Sequence, residues 1–205
     1  MKLKVCGMRE DKNCAAIVAL EPDYLGFIFF APSARYVENK TPTIPKTIKK
    51  TGVFVDASID YVISCINDHK LNAVQLHGDE TVAYCNYITN LGVEIIKAFG
   101  VGKHFNFEIL QDYLPCCDYF LFDTQTESKG GSGKKFDWSV LQNYPYKKPF
   151  FLSGGIGPED TQALATLKKT DLPLYALDVN SKFEIAPALK NSSAIGAFKL
   201  EINDL

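Results

Sequence analysis

The chain has 205 residues, 46% hydrophobic and 22% charged, the composition of one ordinary globular domain rather than a disordered or fibrous chain. With 22 Lys and Arg against 24 Asp and Glu the net charge is −2, so there is no net positive field to hold a nucleic-acid backbone or an anionic bilayer. No run approaches the roughly 20 apolar residues that cross a bilayer, and the N-terminal apolar stretch breaks at Arg9-Glu10-Asp11-Lys12, so neither a membrane span nor export is expected.

Eight short apolar runs follow in chain order, at residues 3–6, 24–30, 52–55, 73–76, 93–99, 119–123, 150–153 and 174–178. Each is apolar on successive rather than alternate residues, the mark of strands buried on both faces of a parallel sheet. Between them, Ile59, Val62, Ile63 and Ile66 recur at helical spacing behind Ser58, a natural N-cap. Tyr84, Tyr87, Ile88 and Leu91 repeat the pattern, as do Ala163, Leu164 and Leu167 after Pro158-Glu159-Asp160. Asn191 or Ser192 opens a last helix carrying Ile195 and Phe198. Successive runs end 21 to 30 residues apart, room for one βα unit each. That predicts a single (β/α)8 TIM barrel spanning residues 1–205, with an open doubly wound sheet as the alternative. Two connections are thin: Pro42 and Pro45 leave little room for a helix in 38–49, and only a short one fits around 105–110.

In such barrels chemistry gathers at the C-terminal ends of the strands. There the sequence offers Cys6-Gly7, Arg35, His77-Gly78, Asp123, Ser153-Gly154-Gly155 and Asp178-Val179-Asn180-Ser181. Taken singly, Cys6 reads equally as a core thiol, the aspartates as helix caps, Arg35 as a surface residue and His77 as a structural histidine. Ser153 to Pro158 joins the seventh strand to a helix opening, where amide N–H groups can hold a phosphate. Gly130-Gly131-Ser132-Gly133-Lys134-Lys135 lacks the nucleotide-loop spacing and reads as a lid over the mouth. Three histidines cannot build a His-rich metal site, and the six cysteines show no C-x-x-C, so no metal is expected and reduced thiols in the cytoplasm fit best.

Several blocks, taken in order, resemble phosphoribosylanthranilate isomerases: Lys4-Val5-Cys6-Gly7, Ser33-Ala34-Arg35-Tyr36-Val37, Gly52-Val53-Phe54-Val55, Gln75-Leu76-His77-Gly78, Asp123-Thr124, Gly130 to Trp138, Leu152-Ser153-Gly154-Gly155 and Asp178-Val179-Asn180-Ser181. The resemblance implies an enzyme of tryptophan synthesis that performs an Amadori rearrangement on a small phosphorylated substrate without a cofactor. It implies Cys6 as general base and Asp123 as general acid. Arg35 would meet the anthranilate carboxylate, Asp178 the ribose hydroxyls, and Gly154, Gly155 and Ser181 the phosphate, with His77 near the substrate in an open role. The chain departs from the pattern at Lys182, which stands where the family has glycine and either points to solvent or adds charge at the phosphate. It departs again at Pro187-Ala188, where the family has Pro-Gly. The rival readings are an isomerase for another phosphorylated aminoaldose and a non-catalytic barrel that binds a phosphometabolite. Oligomeric state is not legible.

Overall fold

The computed structural model describes residues 1–125 and 135–205, so most of the glycine-rich segment 130–135 lies outside the described residues. Eight parallel strands close into a barrel in sequence order: β1 (Lys2–Val5), β2 (Tyr24–Ile28), β3 (Lys49–Phe54), β4 (Ala73–Leu76), β5 (Glu94–Val101), β6 (Tyr119–Thr124), β7 (Phe150–Leu152) and β8 (Leu174–Val179). β8 pairs back onto β1 with Lys4 opposite Asp178, which excludes the open sheet. All eight strands overlap the expected runs, with β3 beginning three residues earlier, at Lys49.

The outer layer is uneven. The helices are α1 (Asp11–Val18), α2 (Ile59–His69), α3 (Val82–Thr89), α4 (Thr161–Lys168) and α5 (Ser192–Asn203). Ser58 caps α2, accepting from the Tyr61 amide at 3.3 Å, and Asn191 caps α5, accepting from Ala194 at 3.0 Å. No helix joins β2 to β3, as the two prolines require, and among the described residues the connections around β6 carry the 3-10 stretches Phe107–Tyr113 and Trp138–Asn143. The expected helical faces turn inward: Val62 and Ile88 are buried, and Ile59, Ile66, Tyr84 and Leu91 pack against the core. Cys65 and Cys85 are buried beside them, whereas Ile63 is half-buried and Tyr87 half exposed. A two-stranded hairpin after β8, β9 (Glu184–Ala186) with β10 (Leu189–Lys190), was not foreseen.

Strand alternation decides what points inward. Tyr24, Ala73, Ile96, Ala98, Leu121, Phe151 and Ala176 form one buried cluster inside the barrel, separate from the larger core between strands and helices. Continuing by twos along the strands, the same inward register reaches Gln75 and His77 from Ala73, Asp123 from Leu121 and Asp178 from Ala176. The lower end is closed by Tyr24, Tyr119, Phe151 and Tyr175, whose rings pack with centroids 4.5 to 6.5 Å apart. The polar end is therefore the C-terminal one.

Candidate active site

Cys6 follows β1 and is buried, its amide donating to Val179 O at 2.9 Å. Its thiol occupies room that exists because residue 26 is glycine: a Cβ there would lie 2.7 Å from Cys6 Sγ. Below it the Lys4 ammonium, wholly buried, donates to Asp178 Oδ2 at 2.9 Å. Asp178 Oδ1 is buried and has no hydrogen-bond partner among the described residues. Burial pushes the Cys6 thiol up, against the pull of Lys4 and Lys190 and with the help of Asp178. Burial likewise raises Asp178, offset in part by Lys4, with the nearby Asp123 charge adding to the rise. Burial works against the Lys4 charge, but Asp178 and Cys6 outweigh it, and Lys4 sits above the ordinary lysine value. Asp178 is thus electrostatically coupled to both Cys6 and Asp123.

Asp123, at the end of β6 and 18% exposed, accepts from the Thr124 amide at 2.8 Å and faces His77 Nε2 at 3.2 Å. His77 Nδ1 lies 2.8 Å from Gln75 Nε2. With the amide nitrogen donating, the ring accepts at Nδ1 and carries its proton on Nε2, toward the carboxylate. Gln75 Oε1 is then buried without a partner.

Arg35 does not stand free to meet a ligand. Its Nε and Nη2 donate to Glu184 Oε1 and Oε2 at 2.8 and 2.7 Å, a bidentate pair. Lys190 joins it, donating to Glu184 Oε1 at 2.5 Å and Asn180 Oδ1 at 2.6 Å. Burial raises the Glu184 carboxyl, but Arg35 and Lys190 outweigh it and hold it below its ordinary value. A Cβ on Gly7 would lie 2.7 Å from Arg35 Cδ and from Asn180 Oδ1, so this network leans on the turn that carries Cys6.

Opposite, Gly154 and Gly155 take φ of +93° and +72°. At Gly154 a side chain is excluded outright, since its Cβ would lie 2.4 Å from Thr124 Oγ1 and 3.1 Å from Asp123 Oδ1. The Gly157 amide donates to Asp160 Oδ2 at 2.7 Å and so is not free for an anion. Ser181 opens the 3-10 turn Ser181–Phe183 and is half-buried; the next residue, Lys182, is exposed, and its charge acts on Glu159 of the facing loop. Glu159 and Asp160 also accept from Lys135, at 3.0 and 2.6 Å.

The structure therefore gathers Cys6, His77, Asp123 and Asp178 at one end of the barrel, with Arg35, Gly154, Gly155 and Ser181 on the loops around them. The sequence reading passed over four participants: Lys4, Gln75, Glu184 and Lys190. Lysine inside an apolar strand was the available signal for Lys4. Glu184 and Lys190 gave none, because the hairpin that presents them has no strand-length apolar pattern.

Comparison with known proteins identifies the family. The family model described as N-(5'phosphoribosyl)anthranilate (PRA) isomerase matches residues 3–199. The N-(5'-phosphoribosyl)anthranilate isomerases of Parabacteroides distasonis and Phocaeicola vulgatus are each 41% identical, covering 98% and 97% of this chain and 93% and 96% of their own. Among solved structures, the phosphoribosyl anthranilate isomerase of Thermotoga maritima superposes with a TM-score of 0.84 at 30% identity, covering 100% of both chains. A second such structure, in complex with reduced 1-(o-carboxyphenylamino)-1-deoxyribulose 5-phosphate, superposes at 0.82 with 28% identity, again over 100% of both. The chain belongs to the N-(5'-phosphoribosyl)anthranilate isomerase family, enzymes of tryptophan biosynthesis on a (β/α)8 barrel.

Proposed function

We propose that residues 1–205 act as one catalytic domain in the cytoplasm, converting N-(5-phosphoribosyl)anthranilate to 1-(2-carboxyphenylamino)-1-deoxyribulose 5-phosphate with Asp123 as acid and Cys6 as base. The observation that carries the assignment of roles is Asp178. One of its oxygens is held by Lys4, the other is buried and unpartnered, and it is coupled electrostatically to a thiol on one side and a carboxyl on the other. A ribose hydroxyl donating to that free oxygen would bring the sugar's first two carbons between acid and base.

In this reading Asp123 gives a proton to the ribose ring oxygen, the C1–O bond breaks, and the anilino nitrogen's lone pair forms the iminium. The iminium acidifies the C2 proton, Cys6 removes it, and the enolamine tautomerises to the ketone. His77 serves the acid. Turning the Gln75 amide over would give its unpartnered oxygen the Nδ1 proton and leave Nε2 as acceptor for a protonated Asp123, so one rotation matches the acid form and the other the carboxylate. Arg35 would offer its remaining donors to the anthranilate carboxylate while Glu184 fixes its plane. Gly154, Gly155 and Ser181 would hold the phosphate, with Lys182 as a neighbouring charge.

Turnover of freshly made phosphoribosylanthranilate, followed by NMR without added metal or nucleotide, tests the assignment. Cys6→Ala and Asp123→Asn should each lower kcat at least ~10²-fold with KM little changed. A near-normal kcat in either variant removes that residue from the mechanism. A wild type that binds phosphate yet turns nothing over leaves a binding barrel.

A further inference from the structure

Away from the catalytic end, three cysteines distant in sequence meet. Cys85 on α3 faces the turn before β6, and the Sγ atoms of Cys85, Cys116 and Cys117 all lie within 4.8 Å of one another, with Cys116 and Cys117 at 3.9 Å. All three are buried, Cys117 the least at 5% exposure. Consecutive residues usually send their side chains apart, but here the turn directs both thiols to one point. The turn is tied down on either side. Thr89 Oγ1 lies 2.9 Å from the carbonyl oxygens of both Cys85 and Cys116, and the Lys148 ammonium donates to Cys117 O. Simple packing would be met by any small apolar residues and does not call for three sulfurs in mutual contact. A hydrogen bond from Cys117, with the field of buried Lys97, lowers Cys85, and the same bond raises Cys117.

We propose that Cys85, Cys116 and Cys117 form a three-sulfur site for one soft monovalent cation of the Cu(I) class. A trigonal centre with metal–sulfur bonds of about 2.3 Å places its sulfurs about 4 Å apart, within the spacing seen here. Zinc fits less well, because it takes four ligands and no fourth Cys, His, Asp or Glu joins the cluster among the described residues. The nearby Glu80 carboxylate is already engaged by Lys97 and by the amides of Asp56 and Gly78. Binding needs no electron transfer: the sulfur–metal bonds form as the thiol protons leave to solvent. Cys117 stands six residues before Asp123, roughly 20 Å along β6, so the cation would stabilise the fold without entering the reaction. Sequence spacing conceals the site because α3 supplies the third sulfur.

The test is an anaerobic titration of the reduced protein with Cu(I) against a colorimetric Cu(I) chelator, in wild type and in a Cys6→Ala background that removes competition from the catalytic thiol. One Cu(I) per chain in both, three sulfur neighbours by X-ray absorption, and a raised thermal midpoint are expected. Cys85→Ser and Cys117→Ser should each weaken binding at least ~10-fold while leaving turnover unchanged. Copper lost to the chelator, affinity unchanged in the serine variants, or binding that vanishes with Cys6 alone would each overturn the site. If the serine variants fail to fold, X-ray absorption on the wild type decides, and any coordination other than three sulfurs rejects the proposal.

Discussion

In the proposed mechanism Cys6 is a base that begins as a thiol. Burial keeps its proton on, and the two ammonium groups near it, Lys4 and Lys190, do not overcome that. The free enzyme should therefore be slow to alkylate at Cys6 at neutral pH, with the rate climbing through the alkaline range past the ordinary thiol value of 9.0. Mass spectrometry of the Cys6 peptide after timed iodoacetamide exposure measures this; a midpoint below 9.0 would show that the lysines dominate. A thiol that ionises only as the substrate iminium forms at its face avoids reacting with other electrophiles between turnovers. The residue scale also explains Gly26. Any side chain there would displace the sulfur, so the thiol's position is fixed from the neighbouring strand.

Elements differ in how well their sequence suits their shape. α2 is well capped at its start but ends on Lys70, which takes the left-handed conformation at φ +55° while its amide closes onto Ile66 O. Leu71 N also bonds Ile66 O, at 3.1 Å. An exposed lysine gains nothing there that glycine would lose, so Lys70→Gly should raise stability by about 1 kcal/mol, read as a higher urea midpoint with unchanged slope. The hairpin after β8 depends instead on charge. Glu184 is held below its ordinary pKa by Arg35 and Lys190, so its contribution is complete above about pH 4.5 and is lost as the pH falls through the lower folded value. Glu184→Gln should be less stable than wild type at pH 7 and lose less on acidification. It should also raise KM more than it lowers kcat if Arg35 loses its orientation. Equal acid sensitivity in the two proteins would show that the pair is not what the acid limb reports. These elements mark how far the sequence was legible. The strands were, because eight doubly buried runs leave no other period. The gathering of Cys6, His77, Asp123 and Asp178 at one rim was, because strand ends position it. The hairpin was not, since two short strands held by Glu184, Lys190 and Arg35 have no apolar signature. The inward faces of α2 and α3 were legible through Val62 and Ile88, but the burial of Cys65 and Cys85 beside them was not.

At the scale of the whole molecule, the barrel closes where β8 meets β1, and Lys4 and Asp178 face each other across that seam. Their ion pair is buried on both sides, with exposures of 0% and 5%. Taking two charges out of water costs several kcal/mol per ion, and the attraction between them offsets this only in part, so such a pair is poor evidence of stability. Asp178 also keeps an oxygen with no partner, a cost that packing alone would not retain. On the proposed mechanism the seam is arranged for the ligand rather than for the fold. Lys4→Ala, which leaves Asp178 buried and unpaired, should destabilise by about 3–5 kcal/mol in urea unfolding. The double variant Lys4→Met with Asp178→Leu should recover most of that loss and still be inactive, because the proposed seat for the ribose hydroxyl is gone. Both unfolding curves should be single transitions by Trp138 fluorescence and by far-ultraviolet circular dichroism, since a barrel closed through its first and last strands cannot open in halves. A double variant no more stable than Lys4→Ala would mean that the ion pair holds the seam for the fold itself, and that the free oxygen of Asp178 is a by-product of closure.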